Sequence, residues 1–273
     1  MTAATLPHST LDLRRMWRDA PQLMILTVML LLALAPPYAA MALDTRIFQG
    51  DSPWLKPIKF HYALAAYAAT LAFFARYMPE ATLASRRWRW FMAAVVFAMV
   101  AEVVWLSIAA MLNTASHFNR ENPVLMVVYP MMGAFAVLLT SASAAMGWSV
   151  WRNSRTGLPP SLHLAVALGL GLTFLLTVPV AAYMSSQPGH GVGETTRTLW
   201  LMGWSRDAGD LRVAHFFATH ALHAIPLAGL LAVAFAPRQA TRLVWLSAAL
   251  FVALVVGSFV QALQGQPFLP LLG

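Results

Sequence analysis

The stretch DLRVAHFFATHALHAIP, which begins at Asp210, carries three histidines in an otherwise apolar segment. Imidazole nitrogen binds iron, copper and zinc, and histidines on helices hold haem iron. His220 and His223 are three residues apart and therefore share one face of a helix, while His215 lies one to two turns earlier. The three imidazoles are therefore candidate ligands of a metal ion or a haem.

Three further residues in apolar surroundings could complete such a site: His61 in KPIKFHY, Glu102 in MVAEVVWLS and His117 in ASHFN. An ionised carboxylate in the middle of a membrane costs at least about 2.5 kcal/mol, so Glu102 should have a partner or carry a proton. We predict Glu102 as the catalytic group and haem b or a non-haem iron, copper or zinc ion as the cofactor. The predicted cofactor-binding residues are His61, His215, His220 and His223, and the predicted metal ligands are His61, Glu102, His117, His215, His220 and His223.

A simpler interpretation of the same histidines is structural. Each could hydrogen-bond Glu102, a serine or a backbone carbonyl and hold two helices together, at about 1 kcal/mol per contact. For any one histidine this interpretation is favoured, whereas the whole set is costly to bury as helix contacts alone.

The composition predicts the elements that must position these residues. Of the 273 residues 59% are hydrophobic and 10% charged, against roughly a quarter charged in a soluble domain. The apolar residues come in runs of about 20, the length that crosses a bilayer. We predict an all-α integral membrane protein of about seven transmembrane helices: Pro21 to Leu43, Pro57 to Met78, Trp88 to Leu112, Pro123 to Trp151, Pro160 to Tyr183, Leu211 to Ala236 and Thr241 to Leu263. This transmembrane domain, 21–263, follows a cytoplasmic N-terminal segment, 1–20, and precedes a short outer tail, 264–273.

Basic residues lie mainly in alternate loops between the predicted spans. They are Arg14, Arg15 and Arg18, then Arg86, Arg87 and Arg89, then Arg152 and Arg155, then Arg238 and Arg242. The positive-inside rule places the N-terminus in the cytoplasm and the C-terminus outside, as expected for a bacterial inner membrane protein. The net charge of +8 is thus explained by topology, and no nucleic-acid partner is predicted.

Two segments resemble each other: KPIKFHY at the start of the second span and DLRVAHFF at the start of the sixth. This similarity indicates a parallel repeat of three spans, with the fourth span as linker. Pro36-Pro37 and Pro226 predict kinks in the first and sixth spans, and Asp210 is a predicted N-cap. The segment GWSRDAGD is predicted to pack over the outer end of the bundle, a solvated loop being the alternative.

Several classes of protein are excluded by what the sequence lacks. There is no cysteine, so thiolate ligands and disulfides are absent. The only lysines, Lys56 and Lys59, precede or begin the second span, which excludes a retinal Schiff base in the last span. No Walker A, GxSxG or HExxH motif occurs.

The leading hypothesis is a membrane-embedded metal- or haem-binding redox protein, with a His/Glu site in the outer half of the bundle, that acts on a quinone, on another apolar molecule from the bilayer, or on O₂. Whether it is an enzyme, such as a metal-dependent oxidoreductase, is left open by the sequence. The alternative is a protonation-linked transporter, or a lipid- or small-molecule-binding protein, that uses Glu102 and the histidines without metal. A third interpretation is a subunit of a larger membrane complex or of a homo-oligomer.

Overall fold

The computed structural model describes residues 11–119, 123–199 and 202–268. The α-helices of these residues, in chain order, are α1 Leu13–Asp19, α2 Pro21–Leu32, α3 Ala35–Leu43, α4 Leu55–Phe74, α5 Glu80–Ala84, α6 Arg86–Met111, α7 Pro123–Trp151, α8 Pro160–Ser186, α9 Leu211–Thr219, α10 Ala221–Phe235 and α11 Ala240–Leu263. Two short 3-10 turns, Ala75–Tyr77 and Pro237–Gln239, follow α4 and α10. Two two-residue strands, β1 Gly191–Val192 and β2 Gly209–Asp210, pair antiparallel.

The long helices are apolar enough to cross a membrane. In the described part of the chain, six such spans are Pro21–Leu43, Leu55–Tyr77, Arg86–Met111, Pro123–Trp151, Pro160–Ser186 and Pro237–Leu263, and the bent pair α9 and α10 forms a seventh if it is counted as one span. The protein is therefore an integral membrane protein built from helices, as the apolar runs predicted. The predicted N-terminal segment, 1–20, and tail, 264–273, lie partly outside the described residues.

The chain divides into two compact units. We call His8–Ala142 the N-terminal unit and Ser143–Gly273 the C-terminal unit. Helix α7 begins in the first unit and ends in the second.

In the N-terminal unit α4 lies between α2 and α6 and packs against both. Its buried face carries Ala68 and Leu71, which are fully enclosed, as is Met99 on α6. Small residues at such contacts let helix backbones approach closely, which is how membrane helices gain packing energy.

The first span is interrupted at Ala33 and Leu34, directly ahead of Pro36. Pro36 and Pro37 thereby occupy the first turn of α3, where a missing backbone N–H breaks no intrahelical hydrogen bond. The interruption agrees with the kink that these prolines predict.

In the C-terminal unit α8 packs along α10, and α9 and α11 pack against both α8 and each other. A Cβ built on Gly169 of α8 would lie 2.7 Å from Cδ of Pro226 on α10. The two helices therefore approach at a glycine. Val180, Ala214, Ala218 and Val255 form the buried cluster between α8, α9 and α11.

The sixth span is broken, and not where the sequence predicted. Helices α9 and α10 meet at an angle of 52°, with His220 at the junction, six residues before Pro226. The backbone N–H of His220 donates to the Phe217 carbonyl at 2.9 Å instead of continuing the α-helical pattern to Phe216. The hydroxyl of Thr219 and the imidazole of His220 donate to the Phe216 carbonyl in its place, so side chains compensate the broken backbone ladder.

The segment before α9 folds onto the C-terminal unit and is called the cap here; its described residues are 187–199 and 202–210. Ser205, Ala208 and Asp210 are buried, and a Cβ on Gly209 would lie 2.9 Å from the carbonyl carbon of Ala262 on α11. The prediction that GWSRDAGD packs on the bundle is therefore confirmed, and the solvated-loop alternative is wrong.

Asp210 holds the cap to α9. Its carboxylate accepts hydrogen bonds from the backbone N–H of Ser205 and of Arg212, both at 3.0 Å, and forms an ion pair with Arg212 at 2.6 Å. The predicted N-cap role of Asp210 is confirmed.

Replacing Asp210 with Ala is expected to lower the free energy of unfolding by about 2 kcal/mol, because an N-cap is lost and Arg212 loses its carboxylate. Asp12→Ala is the matched control, since the Asp12 side chain also caps a helix, accepting from the backbone N–H of Arg15 at the start of α1, but is exposed. It should cost about 1 kcal/mol or less. Thermal unfolding in detergent measures both, and equal losses would contradict the role given to Asp210.

Asp207 accepts hydrogen bonds from the side chain and backbone of Thr196, from the Ser205 hydroxyl and from the Arg197 backbone. These hydrogen bonds lower the pKa of Asp207 from 3.8 to about 2, and the bond from the Thr196 side chain has the largest effect. The ionised carboxylate therefore stabilises the cap above the unfolded-state pKa, and this stabilisation is lost as the pH falls through about 2.

Asp207→Asn should consequently be less stable than the unmodified protein at pH 6, and the difference should shrink as the pH falls from about 4 to about 2. Melting temperatures over this range measure the effect. Asp51→Asn is the control, because in the described residues the Asp51 side chain accepts no hydrogen bond. A difference that persists unchanged at pH 2 would show that the carboxylate charge is not responsible.

Candidate functional site

The six predicted ligands are divided between the two units. His61, Glu102 and His117 belong to the N-terminal unit, and His215, His220 and His223 to the C-terminal unit. The prediction that all six form one site stays a prediction.

His61 lies on α4, about 9 Å along the helix from its start at Leu55. It is 4% exposed, and its Nδ1 is 2.8 Å from the carbonyl oxygen of Pro57, one turn earlier. A carbonyl can only accept a hydrogen bond, so Nδ1 carries the proton and the lone pair is on Nε2. In the described part of the chain Nε2 has no hydrogen-bond partner.

His220 has the same arrangement at the break between α9 and α10. Its Nδ1 is 2.7 Å from the carbonyl oxygen of Phe216, which again places the proton on Nδ1 and the lone pair on Nε2. The ring lies 4.1 Å from the Phe216 ring and 5.4 Å from the His223 ring, measured between centroids. Nothing in the described residues hydrogen-bonds Nε2 of His220.

His163 provides the contrast within the C-terminal unit. It lies on α8, and its Nε2 is 2.7 Å from the carbonyl oxygen of Val150. In His163, Nε2 therefore carries the proton, whereas in His220 Nε2 carries the lone pair.

His215 and His223 flank the junction from either side. Nδ1 of His215 is buried and has no hydrogen-bond partner in the described residues. The ring of His223 faces that of His220. His215 lies five residues before His220 along the bent span, and His223 three residues after it.

Glu102 lies on α6, nine residues before its end at Met111, which is about 14 Å along the helix. It is 3% exposed, and its carboxyl group accepts no hydrogen bond from any described residue. The ammonium group of Lys56 is close enough to interact with it electrostatically. The expectation that Glu102 has a partner or carries a proton stays a prediction.

His117 lies in the loop after α6. Its Nδ1 is 3.1 Å from Nζ of Lys56 and 3.0 Å from Oγ of Ser116. An ammonium group can only donate, so Nδ1 accepts and the ring proton is on Nε2. This tautomer is opposite to that of His61 and His220.

A group of three or more His, Cys, Asp or Glu side chains that could hold a metal ion does not occur among residues 11–119, 123–199 and 202–268. The predicted ligands within one unit thus do not converge as a set of three. A catalytic zinc site usually has three protein ligands, whereas haem iron takes one or two.

Sequence reasoning missed two ion pairs, Asp44 with Arg46 and Asp210 with Arg212. Asp44 pairs with Arg46 at 2.6 Å and accepts a hydrogen bond from the Trp54 indole at 2.8 Å, and Arg46 donates to the Met111 carbonyl at the end of α6. Hydrogen bonds from the Arg46 guanidinium, which has the largest effect, and from the Trp54 indole hold the pKa of Asp44 well below its usual range. Asp-x-Arg occurs here and at Asp210 but also at Asp12-Leu13-Arg14, where the structure has no ion pair between Asp12 and Arg14, so the motif alone did not identify the two pairs.

No protein-family model, curated protein or solved structure matches this chain. Its function must therefore be inferred from the geometry of its own residues.

Proposed function

We propose that this chain is a membrane-embedded, haem-binding redox protein, with His220 of the C-terminal unit as an axial ligand; His61 of the N-terminal unit is a separate candidate ligand with the same hydrogen-bond arrangement. The observation that carries the proposal is the hydrogen bond from Nδ1 of each ring to the carbonyl four residues earlier. Histidines that bind metals almost always donate this second N–H to a carbonyl, carboxylate or water. The bond fixes the tautomer and leaves on Nε2 the lone pair that would bind a haem iron or a metal ion.

Haem is preferred over a mononuclear metal ion because one or two imidazoles suffice to hold it. A non-haem iron, copper or zinc ion is the other form of the proposal. When bound, the haem would supply one-electron exchange at its iron.

The chain's own contribution is to hold the imidazole and keep water out. The Phe216 carbonyl fixes the His220 ring, and the Phe216 ring lies against it. The apolar surroundings of such a site tune its reduction potential. The substrate is proposed to be a quinone, another apolar molecule from the bilayer, or O₂.

The topology that we propose follows from the basic loops. Arg14, Arg18, Arg86, Arg87 and Arg89 are all exposed in the N-terminal unit, and seven spans agree with an N-terminus in the cytoplasm and a C-terminus outside. A bacterial inner membrane is the proposed location. Labelling single cysteines introduced into this cysteine-free chain with a membrane-impermeant reagent would test the orientation.

A parallel 3+1+3 repeat is also proposed. Each unit contains three spans of its own, with α7 between the two sets. The Asp-x-Arg pairs at Asp44 and Asp210 support the repeat, because each precedes or begins the middle span of its set.

The experiment that tests the proposed function is an absorption spectrum of the detergent-purified protein, oxidised and then reduced with dithionite, with elemental analysis of the same sample. A Soret band that shifts on reduction, with about one iron per haem, is the expected result. Stoichiometric iron, copper or zinc without a Soret band would favour the non-haem form. A folded protein without colour or metal would refute both.

One observation favours a second candidate, a protonation-linked transporter. Glu102 is 3% exposed, and no described residue hydrogen-bonds its carboxyl group. An intramembrane carboxyl in this condition is a common element of proton relays in transporters.

Proton movement in proteoliposomes, followed with an entrapped pH-sensitive dye, tests this candidate. Glu102→Gln should abolish a proton flux that metal-free protein carries, while Glu80→Gln, at an exposed position, should leave it intact. A flux that survives Glu102→Gln would exclude this role for Glu102.

A further inference from the structure

Three arginines and an exposed tryptophan begin α6 in the N-terminal unit. We call Arg86, Arg87, Arg89 and Trp90 the basic patch. All three arginines are exposed, and Trp90 is 66% exposed. Trp90 lies four residues after Arg86 and three after Arg87, so it is next to both on the helix surface. The patch therefore joins positive charge to an aromatic ring at the end of a membrane span, where tryptophans meet lipid head groups.

The arginines of the patch carry charge that no described carboxylate neutralises. Among residues 11–119, 123–199 and 202–268, none of the three forms an ion pair, and residues 1–10 contain neither Asp nor Glu. On α1, by contrast, Arg15 and Arg18 both pair with Asp19, at 3.2 and 2.9 Å. Cations are disfavoured in the first turn of a helix, so the patch does not stabilise α6. Its charge is left for an anion from outside the chain.

The elements beside the patch present apolar side chains. The first turns of α2 and α6 meet, because the Gln22 amide donates to the Arg89 carbonyl at 3.4 Å. Helix α1 ends one residue before α2 and is held on the unit by Met16, which is buried. Its Leu13 and Trp17, one turn apart, are 53% and 42% exposed. A helix with such a face lies in the membrane interface with its apolar side toward the acyl chains.

We propose that the basic patch binds the head group of an anionic phospholipid, with Arg86 and Arg87 donating hydrogen bonds to its phosphate and Trp90 in contact with its glycerol and acyl chains. A guanidinium group can hold a phosphate through two parallel hydrogen bonds. Basic clusters at the end of a membrane helix attract anionic lipids. A lipid is favoured over a free phosphate ion because Trp90 and the exposed face of α1 supply apolar contacts that only a lipid can use. The binding requires neither haem nor Glu102.

Displacement of a fluorescent phosphatidylglycerol from the detergent-solubilised full chain tests the proposal. Unlabelled dioleoylphosphatidylglycerol should displace the probe saturably, whereas dioleoylphosphatidylcholine, whose choline cancels the phosphate charge, should not. Arg86→Gln/Arg87→Gln should weaken phosphatidylglycerol binding by about tenfold or more, because each basic residue near an anionic surface contributes a factor of about five.

Arg155→Gln/Arg238→Gln is the matched control. It removes the same charge from two exposed arginines of the other basic loops, neither of which forms an ion pair in the described part of the chain. This double variant should bind phosphatidylglycerol like the unmodified protein.

The melting temperature of each variant without added lipid shows whether it is folded. If the double variant of the patch does not fold, the single exchange Arg87→Gln replaces it, with an expected loss of about fivefold. Unchanged affinity in the folded patch variant would overturn the proposal, as would an equal loss in both double variants, which would reduce the effect to net charge. Displacement of the probe by inorganic phosphate as effectively as by phosphatidylglycerol would show an anion site without lipid selectivity and would also overturn it.

Discussion

Replacing His220 with Ala is expected to reduce the haem content of the purified protein by at least about tenfold, because a lost axial ligand exceeds the 10- to 100-fold effect of losing an outer-shell partner. The Nδ1–H of His220 donates to the Phe216 carbonyl, so the orientation of the Nε2 lone pair is fixed in the absence of iron. The haem-to-protein ratio, measured from the reduced spectrum and total protein, checks this result.

His163→Ala is the matched control for this experiment. His163 is also a helical histidine of the C-terminal unit, but its Nε2 donates to the Val150 carbonyl and is not available to iron. It should leave the haem content unchanged in protein that remains folded. If haem is present but equally retained by His220→Ala and the unmodified protein, His220 is not its ligand.

Replacing Gly209 with Ala is expected to lower the free energy of unfolding by roughly 3 kcal/mol, the upper part of the range for overpacking a tight site. The added Cβ would lie 2.9 Å from the carbonyl carbon of Ala262 and closer still to its oxygen. Both are backbone atoms of α11, which a rotamer change cannot move. The cap and α11 would have to separate, and Asp210, the next residue, would be displaced with them.

Gly189→Ala, in the same cap, is the matched control, because a Cβ there meets nothing within 4 Å. It should change the melting temperature little. Thermal unfolding in detergent compares the two variants, and a Gly209→Ala protein as stable as Gly189→Ala would show that the cap does not press on α11.

The apolar runs in the sequence predicted the spans well, and the physical reason is strong. A bilayer admits only segments whose backbone groups are satisfied internally, so about 20 apolar residues in succession dictate a helix. The interruption of the first span and the N-cap role of Asp210 were likewise predictable from the sequence, because Pro36 and Asp210 act on the backbone next to them.

The position of the break in the sixth span was not predictable from the sequence. Pro226 was the obvious candidate, but the helix ends at Thr219, where the hydroxyl of Thr219 and the imidazole of His220 bond the Phe216 carbonyl. The same bond from His61 to the Pro57 carbonyl leaves α4 unbroken, so the position of the break depends on packing, which no spacing pattern contains.

The sequence by itself determined that this is a helical membrane protein with histidines and one carboxyl group inside its spans, because hydrophobicity and length decide insertion. Only the tertiary structure decided that the ring proton of His117 lies on Nε2. His61 and His220 bond the carbonyl four residues earlier in the chain, whereas Lys56 on α4 donates to His117 in the loop after α6. The tautomer follows from the group that each ring meets, and long-range contacts of this kind form only when the helices pack.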